Sequence, residues 1–239
     1  MKMALGVIGG LGPMATARFM EMVTEMTDAA CDQEHIEMLI HSCPSIPDRT
    51  AYILGGSQDD PVGPMIRIGK NLAAQGAECI AIPCMTAHCF FDRLSAGIPV
   101  PVINAVDAAG KELADNGVEK AGILATAGTV KTGVFQDAFR KTGIETVLPD
   151  EQHQQYVMDV IYKNIKQGQP ADMEKFQEAA AHLRENGAQV LILGCTELSL
   201  VSGCDSPGSG FLDAMAVLAR SSVLACGGKL KETYHNLIS

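Results

Sequence analysis

Two patterns of apolar and polar positions alternate along the chain: short solid apolar runs, and longer stretches carrying an apolar stripe at helical spacing. Leu5-Gly6-Val7-Ile8-Gly9 is an unbroken apolar run closed by glycine, the signature of a strand buried on both faces. From about Met14 to Ala29, Phe19, Met22, Val23 and Met26 recur on one helical face, and Pro13 suits the first helical position. The alternation then predicts a strand over Ile36 to Ile40, a helix over Pro64 to Gln75 and a strand running to Cys84. A short helix from Ala87, a short strand over Val100 to Asn104 and a helix to Asn116-Gly117 follow. Between the second strand and the second helix lies a proline-rich polar loop, His41 to Thr50, of the kind that often carries function.

The second half repeats the plan. A strand is predicted over Ala121 to Thr126, a helix from Gly128-Thr129 through Lys141, and a brief strand over Glu145 to Leu148. Helices over Gln152 to Gln167 and Met173 to Asn186 precede a strand, Val190 to Leu193, that leads through Gly194 into Cys195. A Gly/Ser-rich loop (Ser202 to Gly210), a last helix (Phe211 to Ala225) and a polar tail end the chain. Gly6 precedes Cys84 by 78 residues and Gly122 precedes Cys195 by 73, so the repeat has a nearly constant length. Strands alternating with helices in this way predict an α/β protein of two pseudo-symmetric, doubly wound lobes with parallel sheets and an active-site cleft between them. The expected lobes are residues 1–104 and 118–210, with the C-terminal helix, about 211–226, returning to the first.

Composition narrows the chemistry. With 239 residues and 47% hydrophobic content the chain can build a full core without staples. A net charge of −10 and a pI near 5.0 argue against nucleic-acid and anionic-membrane partners. No apolar run reaches membrane-spanning length. Met1 to Gly6 run straight into a strand with no leader pattern, so a cytoplasmic protein with reduced thiols is expected.

Eight cysteines are present, and four of them suit the role of small buried hydrophobes: Cys31, Cys79, Cys89 and Cys226. Cys43 and Cys204, in loops, stay open. Cys84 and Cys195 differ because each follows a buried strand in a repeat-related position, where open α/β sheets place their ligands. A helix starting just after each would lower its thiol pKa. Two thiols facing one carbon acid suit proton removal on one side and return on the other. A single-cysteine hydrolase using Cys84 and His88 is the competing reading, but it gives no reason for a duplicated cysteine. The Cys79, Cys84, Cys89 spacing matches no zinc motif, so no metal is expected. Gly10-x-Gly12-x-x-Ala15 resembles a dinucleotide fingerprint, but the second strand ends His41-Ser42-Cys43 without the required acid. Arg49, in the proline-rich loop, is either a carboxylate grip or a solvated arginine. Lys166 reads from position alone as a helix-terminal lysine.

Four motifs taken together carry a resemblance over nearly the whole chain: Gly9-Gly10-Leu11-Gly12-Pro13-Met14-Ala15-Thr16, Ile46-Pro47-Asp48-Arg49-Thr50, Pro83-Cys84-Met85-Thr86-Ala87-His88 and Gly194-Cys195-Thr196-Glu197-Leu198. The chain resembles the cofactor-independent aspartate/glutamate racemases of the Asp/Glu/hydantoin racemase superfamily. The resemblance implies a PLP-independent racemase of aspartate, glutamate or a related amino acid, no cofactor, a small-molecule substrate and a homodimer. It implies Cys84 and Cys195 as the acid/base pair. Thr86, Thr126, Thr129 and Thr196 would hold the substrate's polar groups, Arg49 and Lys166 would grip a side-chain carboxylate, and Met14 and Met85 would adjoin the substrate. Met85 stands where that family usually has Asn, so a donor worth about 1.5–3 kcal/mol is missing. Maleate isomerase-like or decarboxylase-like chemistry on the same scaffold, and amino-acid binding without turnover, remain as alternatives.

Overall fold

The first sheet is built around β1 (Leu5–Gly9), all five residues of which are buried. After it come α1 (Pro13–Met26), β2 (Met38–Ser42), α2 (Arg49–Leu54), α3 (Val62–Ala74), β3 (Cys79–Ala81), α4 (Phe91–Gly97) and α5 (Ala105–Asp115). The second half contains β4 (Lys120–Leu124), α6 (Ala127–Thr132), α7 (Val134–Lys141), β5 (Glu145–Val147), α8 (Glu151–Asp159), α9 (Met173–Glu185), β6 (Val190–Leu193), β7 (Phe211–Asp213) and α10 (Ala214–Ala225). These elements come from a computed structural model that describes residues 2–201 and 208–239. The sheets have the orders β2-β1-β3 and β5-β4-β6-β7, with every pairing parallel. The first three strands of each half therefore share one arrangement, and the architecture is the α/β plan of two parallel sheets that the apolar pattern predicts.

Side-chain alternation along the strands explains why the two sheets stay together. Leu5 and Val7 on β1, Ala121 and Ile123 on β4, and Val190 and Ile192 on β6 all face one shared core. That core is filled by Phe19 and Val23 of α1, Ala109 and Leu113 of α5, Phe135 and Phe139 of α7, and Val217 and Leu218 of α10. The opposite faces pack separately. Ile8 and Ile80 join α3 and α4, whereas Leu124, Leu191 and Leu193 join α9. Helices thus sandwich each sheet, and one helical layer serves both.

Several boundaries differ from the sequence pattern for identifiable reasons. Pairing of β2 begins at Met38, opposite Leu5, which moves the strand two residues C-terminal and carries it to Ser42. Arg49 and Thr50 are not loop residues; they open α2, whose N-terminus is capped by the Asp48 side chain accepting from Ala51 N–H at 2.7 Å. Val100 to Asn104 forms only a single bridge, Val102 to Ile80. Gly133, at φ 72°, splits the expected helix into α6 and α7. Phe211 begins a strand rather than the last helix, because residues 211–213 pair with β6 before Asp213 caps α10. The stretch after α8 winds as a π-turn (Val160–Asn164) and then a 3₁₀ turn, where a continuous helix to Gln167 is predicted. Cys31 is exposed and Cys89 half-buried, so the buried-hydrophobe reading fits only Cys79 and Cys226 of that group. Cys204 and most of the Gly/Ser-rich loop lie outside the described residues. Among the described residues, no helix is long and apolar enough to cross a membrane.

The last helix and the tail are anchored by a buried ion pair. Arg220 of α10 donates through both terminal nitrogens to Glu112 of α5, and Glu112 also accepts from Leu237 N–H at 3.2 Å. Losing one partner of such a pair leaves a buried charge without compensation. Arg220→Met is expected to lower stability by about 3–5 kcal/mol in urea denaturation, and the double variant Arg220→Met/Glu112→Leu to recover most of that loss. A single variant within a few tenths of wild type would show the pair to be idle.

Candidate active site

Both motif cysteines sit just beyond their strands. After β3 the chain runs through Ile82-Pro83 to Cys84, which leads into a 3₁₀ turn, Met85–Phe90. After β6 it runs through Gly194 to Cys195. Each cysteine is 4% exposed, and both line a single narrow space between the two halves. Its free volume is about 10 Å³, and it opens toward an outer vestibule of about 390 Å³.

Threonine hydroxyls from both halves close one side of this space. Thr126 Oγ lies 3.2 Å from Thr50, 3.1 Å from Thr86 and 3.0 Å from Thr129, while Thr129 donates to Thr86 at 3.0 Å. Close approach is possible because Gly128 lacks a side chain: a Cβ there would meet Thr50 Cα at 3.1 Å. The four hydroxyls satisfy one another in a buried cluster, an arrangement whose partners can be exchanged for those of a small polar ligand.

Charges are balanced locally. Arg49 is buried and donates to the carbonyls of Leu11 and Pro47, each at 3.1 Å. Its Nε is buried without a hydrogen-bond partner among the described residues. Burial works against the Arg49 charge, but the Cys84 sulfur and the Asp48 carboxylate outweigh it and raise the guanidinium pKa. Lys166, one position past the start of the 3₁₀ turn, extends over the Tyr162 ring to Glu197 Oε1 at 3.2 Å. Its pKa is also raised, since Glu197 and Cys195 more than offset burial. Tyr162 donates to Asp48 at 3.2 Å; burial and Asp48 push its phenol up to about 12.

Cys195 donates its thiol proton to Glu197 Oε2 at 2.9 Å. Complete burial, reinforced by the Glu197 charge, pushes the Cys195 thiol well up, despite Lys166 nearby. For Cys195 this reverses the expectation that a following helix would lower its thiol. Among the described residues only a 3₁₀ turn, Leu198–Leu200, comes close behind Cys195, and desolvation penalises the thiolate more than nearby N–H groups favour it.

Arg49, Cys84, Met85, Thr86, Thr126, Lys166, Cys195 and Thr196 all line the narrow space. Thr129 lies behind it, fully buried and bonded to Thr86 and Thr126. Met14 is elsewhere: its side chain is 68% exposed at the rim of the vestibule. Met85 also belongs to the shared core, so its thioether fills apolar space where an amide would be a poor fit. His88 does not serve Cys84 as a base. Its Nδ1 bonds the Cys84 carbonyl at 3.0 Å, and burial lowers its pKa. Asp48, Thr50, Tyr162 and Glu197 line the space as well but were not singled out from sequence. Asp48, Thr50 and Glu197 belong to two of the four sequence motifs; Tyr162 carries no sequence signal, because its placement depends on the π-turn.

Two α/β halves, each built on a parallel sheet and each bringing one cysteine to a shared cleft, define the class as a two-lobed α/β protein. The sequence profile of the Asp/Glu/Hydantoin racemase family matches residues 8–222, and the chain belongs to that family. It is 28% identical to the broad specificity amino-acid racemase RacX of Bacillus subtilis (strain 168) over 92% of this chain and 96% of that protein. It is 27% identical to a glutamate racemase of Corynebacterium glutamicum, over 66% of this chain and 61% of the relative. Among solved structures, Picrophilus torridus aspartate racemase superposes with a TM-score of 0.85 at 29% identity, covering 98% of this chain and 99% of that one. The chain is accordingly an isomerase of the amino-acid racemase type.

Two outcomes follow from this geometry. Iodoacetamide under native conditions is expected to label exposed Cys31 at least roughly tenfold faster than Cys195 by peptide mass spectrometry, and Glu197→Gln to speed labelling of Cys195. Equal rates at both thiols would contradict the buried, carboxylate-bound state. Met85→Asn is expected to cost about 2 kcal/mol or more of stability, with Met85→Leu nearly neutral; unchanged melting of Met85→Asn would show that the side chain does not pack in the core.

Proposed function

We propose that the chain interconverts the L and D forms of aspartate, glutamate or a related amino acid by a cofactor-independent two-thiol mechanism. The observation that carries this reading is the convergence of Cys84 and Cys195, one from each strand motif, on one enclosed space. In the proposed cycle one cysteine, as thiolate, takes the α-proton and becomes a thiol. The planar carbanion then receives a proton from the opposite thiol, which becomes the thiolate, and the configuration at the α-carbon is inverted. The next turnover can run in the reverse sense from that state.

The surroundings support an asymmetric starting point. Cys195 carries its proton toward Glu197, whereas the Arg49 guanidinium faces Cys84 and would balance a thiolate there. Glu197 is then positioned to take up and return the Cys195 proton, and Lys166 to hold the charge of Glu197 or of a substrate carboxylate. The free Arg49 Nε and the threonine cluster offer donors for the substrate's carboxylates and acceptors for its ammonium group. Such donors stabilise the charge that builds on the α-carboxylate as the proton leaves. A free volume of about 10 Å³ holds one water at most, so the substrate must part the threonine contacts to reach the thiols. Closing again around it removes water from the carbanion.

Proton NMR in deuterated buffer without added PLP tests the proposal. Each enantiomer of aspartate and glutamate, then a wider panel of amino acids, is incubated with wild type, Cys84→Ser and Cys195→Ser. The expected result is loss of the α-proton signal with formation of the other enantiomer, reduced by a factor of roughly 10³ or more in either variant. Racemisation persisting in one variant would sink the two-thiol cycle. No exchange with any amino acid, but calorimetric binding of aspartate, would make the chain a binding protein.

A further inference from the structure

We propose that Asp150, His153 and His182 form a binding site for a divalent transition-metal ion, on the second lobe and separate from the cysteine cleft. The inference is independent of the catalytic reading above. Asp150 caps α8, accepting from His153 N–H at 2.9 Å, and its Oδ1 lies 2.6 Å from His153 Nδ1. His182, in the last turn of α9, turns its Nδ1 toward the other oxygen of the same carboxylate at 3.9 Å. The two imidazoles stack with centroids 4.1 Å apart and planes 15° from parallel. One donor atom from each of the three residues falls within 4.8 Å of the others.

Three features favour an ion over a plain hydrogen-bonded group. The donors come from two helices packed side by side, so their spacing is fixed by rigid elements. One donor atom from each residue already falls within 4.8 Å of the others, a spread that side-chain rotation alone can narrow to the roughly 3.4 Å that separates donors around a tetrahedral ion with bonds of about 2.1 Å. Finally, two neutral imidazoles and a carboxylate suit zinc, cobalt or nickel and not calcium or magnesium, which prefer all-oxygen shells. Both histidine side chains keep 21% exposure and Asp150 53%, which leaves an open side for water ligands. On binding, the rings turn out of their stacked arrangement, since each Nδ1 lone pair lies in its ring plane and must point at the ion, and any Nδ1 proton moves to Nε2 or is released to solvent.

The site has a structural consequence. α8 runs directly into the π-turn that carries Tyr162 and then to Lys166. An ion at its N-terminus would tie α8 to the end of α9 and stiffen the segment that supplies those two side chains. The role is one of stability, since the three residues lie outside the lining of the cysteine space.

Cobalt and zinc titration of the tag-free, chelator-treated chain in a non-chelating reductant tests the site. One Co²⁺ per chain is expected, with ligand-field bands but no thiolate-to-cobalt charge transfer, together with a Zn²⁺-dependent rise in melting temperature. His153→Ala and His182→Ala should each weaken binding roughly tenfold or more, while retaining the metal-free melting temperature to within a few degrees. Charge-transfer bands would place the ion on the cysteines and overturn the proposal. So would binding unchanged in both variants, or no saturable binding by wild type.

Discussion

Everything in this molecule depends on one shared layer of apolar side chains. Phe19, Phe135, Phe139 and Leu218 pack between the inward faces of two parallel sheets, so neither sheet is a freestanding lobe. Because the sheets are parallel and alike in strand order, every strand delivers its carboxyl end to the same edge of its own sheet. Fixing the sheets against a common core brings those edges together. Cys84 and Cys195 line one space because that shared core holds the two strand ends against each other.

A second constraint is electrical. The cleft holds two cations, Arg49 and Lys166, and two carboxylates, Asp48 and Glu197, in surroundings where an uncompensated charge is costly. The carboxylates come from the same motifs as a cation or a cysteine: Asp48 precedes Arg49, and Glu197 follows Cys195. On the proposed function, an anionic substrate would take over partners that the protein supplies to itself in its absence. The threonine cluster follows the same logic for hydroxyl groups, each satisfied by another.

The sequence patterns were legible where short-range physics dominates. Solid apolar runs marked β1, β3, β4 and β6, since strands buried on both faces admit little else. The motifs around Cys84 and Cys195 stood out because strand, turn and cysteine are contiguous. Legibility failed where a residue's state is set by distant neighbours. Arg49 looked like a loop residue, yet Asp48 caps a helix around it. Tyr162 gave no sign, because a π-turn decides where it points. Met14, within a recognisable motif, proved to be exposed at the rim.

From the sequence alone came the α/β class, the internal repeat, the racemase family resemblance and most of the residues that line the cleft. All of these are properties of local pattern or of contiguous motifs. Tertiary structure alone decided that Cys195 is buried against Glu197 with its thiol pushed up, that Met85 fills the core, and that Asp150 meets two histidines from separate helices. Those outcomes depend on desolvation and on contacts between residues far apart in the chain. Neither can be evaluated before the backbone has closed around them.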